Sequence, residues 1–143
     1  MLRKTTVVVL AAALMAAFGF AAPASADWPS SWWCEKSSGK DPNHSGAEWY
    51  RVKCGKDDGS GYIDATFYNY GEWLYITDQF PNDHHTYAYV GIRTSNPYTI
   101  TRHTGKNYQG FDLDLAEGTD ISLKVCTSAE PGRVCSDPIY GDA

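Results

Sequence analysis

The sequence predicts an all-β protein: an antiparallel β-sandwich of seven or eight short strands with two disulfides. Three observations carry this expectation. Beyond residue 47, short runs of β-branched and aromatic residues alternate with clusters of Gly, Asn, Asp, Ser and Pro at the spacing of sandwich strands. Within those runs apolar and polar residues alternate with period two, and nothing after residue 26 sustains a helical period. Finally, the four cysteines, Cys34, Cys54, Cys126 and Cys135, are even in number in a chain that opens with export features.

Those export features come first in chain order. Arg3 and Lys4 precede an apolar stretch from Val7 to Ala22 and then Ala24-Ser25-Ala26, the charged, apolar, small-x-small order of a cleavable secretory signal over residues 1–26. The expected location is extracellular. Removing that segment leaves 117 residues, one domain's worth of chain. It also takes two of the 12 basic residues and none of the 17 acids, leaving a net charge of −7. Binding to phosphate backbones works by neutralising them with Lys and Arg, so nucleic acid and anionic membranes are poor partners for such a chain. No later stretch approaches the apolar length of a membrane span, and a monomer is expected.

Residues 27–46 are rich in Ser, Gly, Pro, Asn and Lys around Trp28, Trp32 and Trp33, without periodicity, and read as an irregular segment pinned by Cys34. The sandwich follows over residues 47–143. Its strands are expected at 48–54, 62–68, 72–78, 86–94, 98–103, 109–115 and 121–127, with a short one near Val134 and a frayed tail after Cys135. Ile63, Ala65 and Phe67 oppose Tyr62, Asp64, Thr66 and Tyr68; Ala88, Val90 and Ile92 oppose Tyr87, Tyr89 and Arg93. Ile121, Leu123 and Val125, and likewise Phe111, Leu113 and Leu115, mark further half-buried strands. Four cysteines allow three pairings. The local ones, Cys34 with Cys54 and Cys126 with Cys135, are favoured because each ties a strand to a near neighbour, and no pair has the tight spacing of a structural zinc site.

From Trp73 onward, Asp78 ends a strand, Asp83 sits in the following turn, and an alternating strand runs over residues 86–92. Leu115-Ala116-Glu117-Gly118, Val125-Cys126 and Cys135-Ser136 come later. This half of the chain resembles a broad group of small secreted actinobacterial proteins of uncharacterised function, departing from them at Asn82-Asp83-His84, where the group has Ala-Asp-Gly. The resemblance implies a β-sandwich and a Cys126–Cys135 bridge, and it implies no activity.

Candidate chemistry is sparse. Asp78, Asp83 and His84, with His85 beside them, are weak candidates for a metal site; a polar hairpin loop is the favoured reading of them, since His84 and His85 point apart in extended chain, and no cofactor is expected. Lys56-Asp57-Asp58-Gly59-Ser60-Gly61 lacks the full ligand ladder of a calcium loop. The acid pairs Asp64 with Glu72 and Asp112 with Asp114 are candidates for glycoside chemistry, but there is no Gly-x-Ser-x-Gly elbow, and oxidised cysteines leave no thiol nucleophile. Aromatic excess is more suggestive. Beyond the signal stand ten Tyr, five Trp and three Phe, more than a core this small can hide. The leading expectation is therefore a non-enzymatic secreted module that binds a polysaccharide or an extracellular protein through Tyr87, Tyr89 and one or more of Trp32, Trp33 and Trp73. A proteinaceous inhibitor of a secreted hydrolase is the first alternative and a small hydrolytic enzyme the second.

Overall fold

The computed structural model describes residues 31–105 and 107–143; the predicted signal, residues 1–26, and Trp28 lie outside them. The described residues contain no helix and form nine strands: β1 Trp32–Lys40, β2 Glu48–Lys56, β3 Tyr62–Tyr68, β4 Trp73–Asp78, β5 Thr86–Ile92, β6 Tyr98–Thr104, β7 Tyr108–Asp112, β8 Asp120–Cys126 and β9 Ile139–Asp142. They make two sheets, a larger one in the order β1-β2-β3-β4-β7 and a smaller one in the order β6-β5-β8-β9. Every pairing is antiparallel. The sheets pack face to face, β2 and β3 against β8 and β4 against β5.

Period-two alternation decides what lies between them. Val52, Ala65 and Ile76 are opposed in register across β2, β3 and β4, and Phe67 is opposed to Leu74. Val90 faces Leu123 and Ala88 faces Val125 across β5 and β8. All of these side chains are fully buried. A slip of one residue would turn a whole row out to water, so burial fixes the register.

The strand expected over residues 109–115 ends at Asp112, and three further stretches differ from the sequence expectation. Residues 32–40, expected to be irregular, form β1, paired with β2 through nine consecutive residue pairs. Its middle, Glu35 to Ser38, is exposed, so the strand is held by its ladder and by the Cys34–Cys54 bridge rather than by burial, and leaves no apolar pattern to read. Polar residues are what an unprotected sheet edge carries. The tail after Cys135, expected to fray, forms β9 on β8. Ile139 packs on the core, Ala143 is buried, and the Tyr50 hydroxyl lies 2.7 Å from a carboxylate oxygen of Asp142 and equally far from one of Glu48. Burial, followed by those two carboxylates, pushes the Tyr50 hydroxyl's pKa well above its ordinary value. Near Val134 there is only an isolated Cys126–Cys135 bridge.

The local cysteine pairing holds: Cys34 is bonded to Cys54, its direct opposite on β2, and Cys126 to Cys135. No helix among the described residues is long and apolar enough to cross a membrane.

Candidate functional site

The outer face of the larger sheet is built by the residues that alternate with the core. Trp49, Arg51 and Lys53 project from β2, Tyr62, Asp64, Thr66 and Tyr68 from β3, Trp73, Tyr75 and Thr77 from β4, and Tyr108 from β7. Register aligns Trp49, Tyr68 and Trp73 in one row across three strands. Tyr75 sits at the centre. Tyr68 meets it edge-on at 5.8 Å, while Trp73 and Tyr108 lie nearly parallel to it at 5.9 and 5.3 Å. Gly110 on β7 makes this possible, because a Cβ there would fall 2.7 Å from Cε1 of Tyr75.

These rings line a groove of about 540 Å³. The segments around residues 41–44 and 70–71 close one rim. There the His44 ring stacks on Tyr70 at 4.0 Å, with its Nδ1 2.9 Å from Oδ2 of Asp41. Asp41 also accepts the Asn43 backbone N–H at 2.8 Å, and that bond, with His44 next, holds its carboxyl below the ordinary value. A second hollow of about 360 Å³ shares Trp49, Tyr68, Tyr75 and Tyr108 with the first. Arg51 and Asp64 meet within it, Arg51 Nη2 donating to Oδ2 of the buried Asp64 at 2.6 Å. Arg51 Nε is buried with no hydrogen-bond partner among the described residues.

The residues predicted from sequence are divided between two surfaces and the interior. Trp73 lines the groove. Trp33 stands on the same outer face near its other end, with Lys53 Nζ 5.5 Å from its ring. Trp32 turns inward, meets Phe80 edge-on at 4.8 Å and packs against the core. Tyr87 and Tyr89 lie on the outer face of the smaller sheet, 6.4 Å apart, flanked by His103 and by Lys124. Tyr87 and Tyr89 therefore share no surface with Trp33 or Trp73. Trp49, Tyr68, Tyr75 and Tyr108 were not among the predicted binding residues. Alternation marks Trp49 and Tyr75 as outward, but only the pairing of β4 with β7 brings Tyr108 beside them.

The weak metal candidates do not converge on one point. Asp78 is buried and accepts the backbone N–H groups of Phe80 and Thr86, each at 3.2 Å, stapling the loop over residues 79–85. Asp83 is exposed with φ 57°, and the backbone N–H of His84 donates to Oδ1 of Asn82. Nδ1 of His85 lies 3.0 Å from Nδ1 of His103. Among the described residues no three His, Cys, Asp or Glu side chains are placed to hold one ion. The segment over residues 56–61 is a hairpin turn, with Gly59 at φ 72° and Asp58 accepting the Ser60 N–H. Of the acid pairs, Asp64 is bound to Arg51, and Asp112 accepts the Asp114 N–H.

Comparison of the chain with protein-family models, curated proteins and solved structures finds no match.

Proposed function

We propose that the chain is a small extracellular binding module that takes a neutral polysaccharide on the outer face of its larger sheet. The observation that carries this is the groove, where Trp49, Tyr68, Trp73, Tyr75 and Tyr108 converge from four strands. Sugar rings have apolar C–H faces that stack on aromatic side chains, and hydroxyls that need fixed polar partners at the edges. Arg51, Asp64, Thr66 and Thr77 supply such partners in the adjoining hollow, and Asp41, Asn43 and His44 at the rim. The charges across β1, β2 and β3 on this face are matched: Arg51 is paired with Asp64, and Lys53 stands opposite Glu35. A neutral ligand meets this surface without stranding a charge. Two formed disulfides and the N-terminal export features support action outside the cell.

The test is retention of the purified protein on insoluble cellulose, chitin, xylan, mannan and starch, with tryptophan fluorescence as a second readout. Trp73→Ala and Tyr108→Ala are each expected to weaken binding about tenfold, the loss of a stacking contact worth on the order of 1.4 kcal/mol. Tyr140→Ala, an exposed aromatic on the smaller sheet, should leave binding unchanged. Absence of retention on every matrix, or equal retention of all three variants, would sink the proposal.

A further inference from the structure

We infer that the bound polysaccharide is an extended chain that spans two indoles at opposite ends of the β1–β2 ladder; this rests on the polysaccharide reading above. Trp33 of β1 stands directly opposite Gly55 of β2, and Trp49 of β2 directly opposite Gly39 of β1. In both pairs the indole lies on the glycine of the neighbouring strand. A Cβ on Gly55 would fall 2.8 Å from Cε2 of Trp33, and one on Gly39 would fall 2.9 Å from Cε2 of Trp49. The same device is thus built twice on one pair of strands, once from each strand. Trp33 is 37% exposed and Trp49 half-buried, so part of each indole is open to a ligand.

The two pairs are six residues apart along the ladder, about 20 Å at the rise of an antiparallel strand. Between them the same face carries Glu35 and Ser37 from β1 and Arg51 and Lys53 from β2. With Asp64 beside Arg51, that floor holds two cations and two anions, all on side chains that bond hydroxyls. Lys53 Nζ lies over the Tyr62 ring at 4.6 Å and over the Trp33 ring at 5.5 Å, so the second platform carries a cation against it. The matching ligand has flat apolar faces about 20 Å apart and uncharged polar groups between them. An extended β-1,4-linked glycan has this form. A disaccharide is too short to touch both indoles, whereas a longer oligosaccharide held at one reaches the other without a second diffusional encounter.

The experiment is calorimetric titration with cello-, chito- and xylo-oligosaccharides from the disaccharide to the hexasaccharide. Affinity should climb by about 10²-fold with length and then level off once both indoles are reached, the gain expected when the second contact becomes intramolecular. Trp33→Ala should remove the gain, so that the hexasaccharide binds no more tightly than a short oligosaccharide held in the groove around Trp73 and Tyr108. If β-1,4-linked polymers are retained but affinity is flat with length, or if Trp33→Ala keeps the gain, the span is wrong and the groove stands. Selective retention of starch likewise overturns the span alone. If neither polymers nor oligosaccharides bind, both readings fall. The length series on the unsubstituted protein is decisive even where a variant folds poorly.

Discussion

Replacing Cys34 and Cys54 together by alanine should cost more, and do so in a more local way, than replacing Cys126 and Cys135. The bridged cysteines are 20 residues apart in the first case and 9 in the second, so loop-closure entropy assigns the bridges about 3.3 and about 2.6 kcal/mol. Each figure is a large share of the roughly 5–15 kcal/mol by which a domain of this kind is stable. The two bridges also hold different things. Cys126–Cys135 closes a short excursion at the end of β8, a strand already buried between β5 and β9. Cys34–Cys54 holds an edge strand whose middle residues bury little.

Without Cys34–Cys54, β1 should therefore open from β2 at a free energy well below that of global unfolding. Urea denaturation should show the larger loss for the Cys34→Ala/Cys54→Ala protein. Hydrogen exchange should show β1 amides losing protection far more than those of β3, β5 and β8. Because Trp33 and Gly39 both lie on β1, the length-dependent part of oligosaccharide affinity should fall with it. A greater stability loss for the Cys126→Ala/Cys135→Ala protein, together with β1 protection that still matches β3, would refute this account of how the edge is held.

Phe67→Ala, at a fully buried position between the sheets, should destabilise by about 3–5 kcal/mol in chemical denaturation, the usual cost of an aromatic-sized core cavity. Gly39→Ala should leave denaturation nearly unchanged, since the gain of about 0.5–1 kcal/mol from removing glycine from a strand interior is offset by displacing the Trp49 indole; near-UV circular dichroism should change, and Trp49 should cease to act as a platform. Glu72 has its carboxyl pKa raised above 4.5, first by burial and then by Glu117, Asp112 and Asp114, so the folded state holds that proton more tightly than the unfolded state does. Its contribution is thus present below pH 4.5 and is lost as pH rises through the folded value. Glu72→Gln should accordingly raise the melting temperature at neutral pH and lose that advantage in acid.

The core was legible because each of its strands repeats one rule. Ile63, Ala65 and Phe67, or Ile121, Leu123 and Val125, name their own buried face without reference to any other part of the chain. β1 and β9 were not legible, since neither owes its place to such a pattern: β1 is held by a ladder and a bridge, and β9 by β8 and the Tyr50 hydroxyl. The groove was half legible for a related reason. Alternation says that Tyr75 and Tyr87 both point outward, but which sheet a strand joins is a long-range matter. Tyr75 and Tyr108 become neighbours only because the chain returns from β6 to pair β7 with β4. Tyr87 and Tyr89 satisfy the same local rule and end on the opposite face.

An outward ring on a sheet can be mere cover for the backbone beneath it, and Tyr50 shows what that looks like inside the protein. Its ring occupies the space beside Gly141, while its hydroxyl is committed to Glu48 and Asp142. Trp49 and Trp33 differ in lying on the outer face of the sheet, Trp33 exposed and Trp49 half-buried. Both rest on a glycine of the adjacent strand. Glycine in a strand interior costs about 0.5–1 kcal/mol relative to alanine, and the sheet carries that cost at Gly39 and again at Gly55. Alanine at either site would lift the indole off the sheet, so these glycines set the tilt of the rings as well as making room for them. Stability alone is served by any large side chain that covers the strand. Two flat indoles at the ends of one ladder, with a charge-balanced floor between them, add the geometry that an extended neutral chain requires.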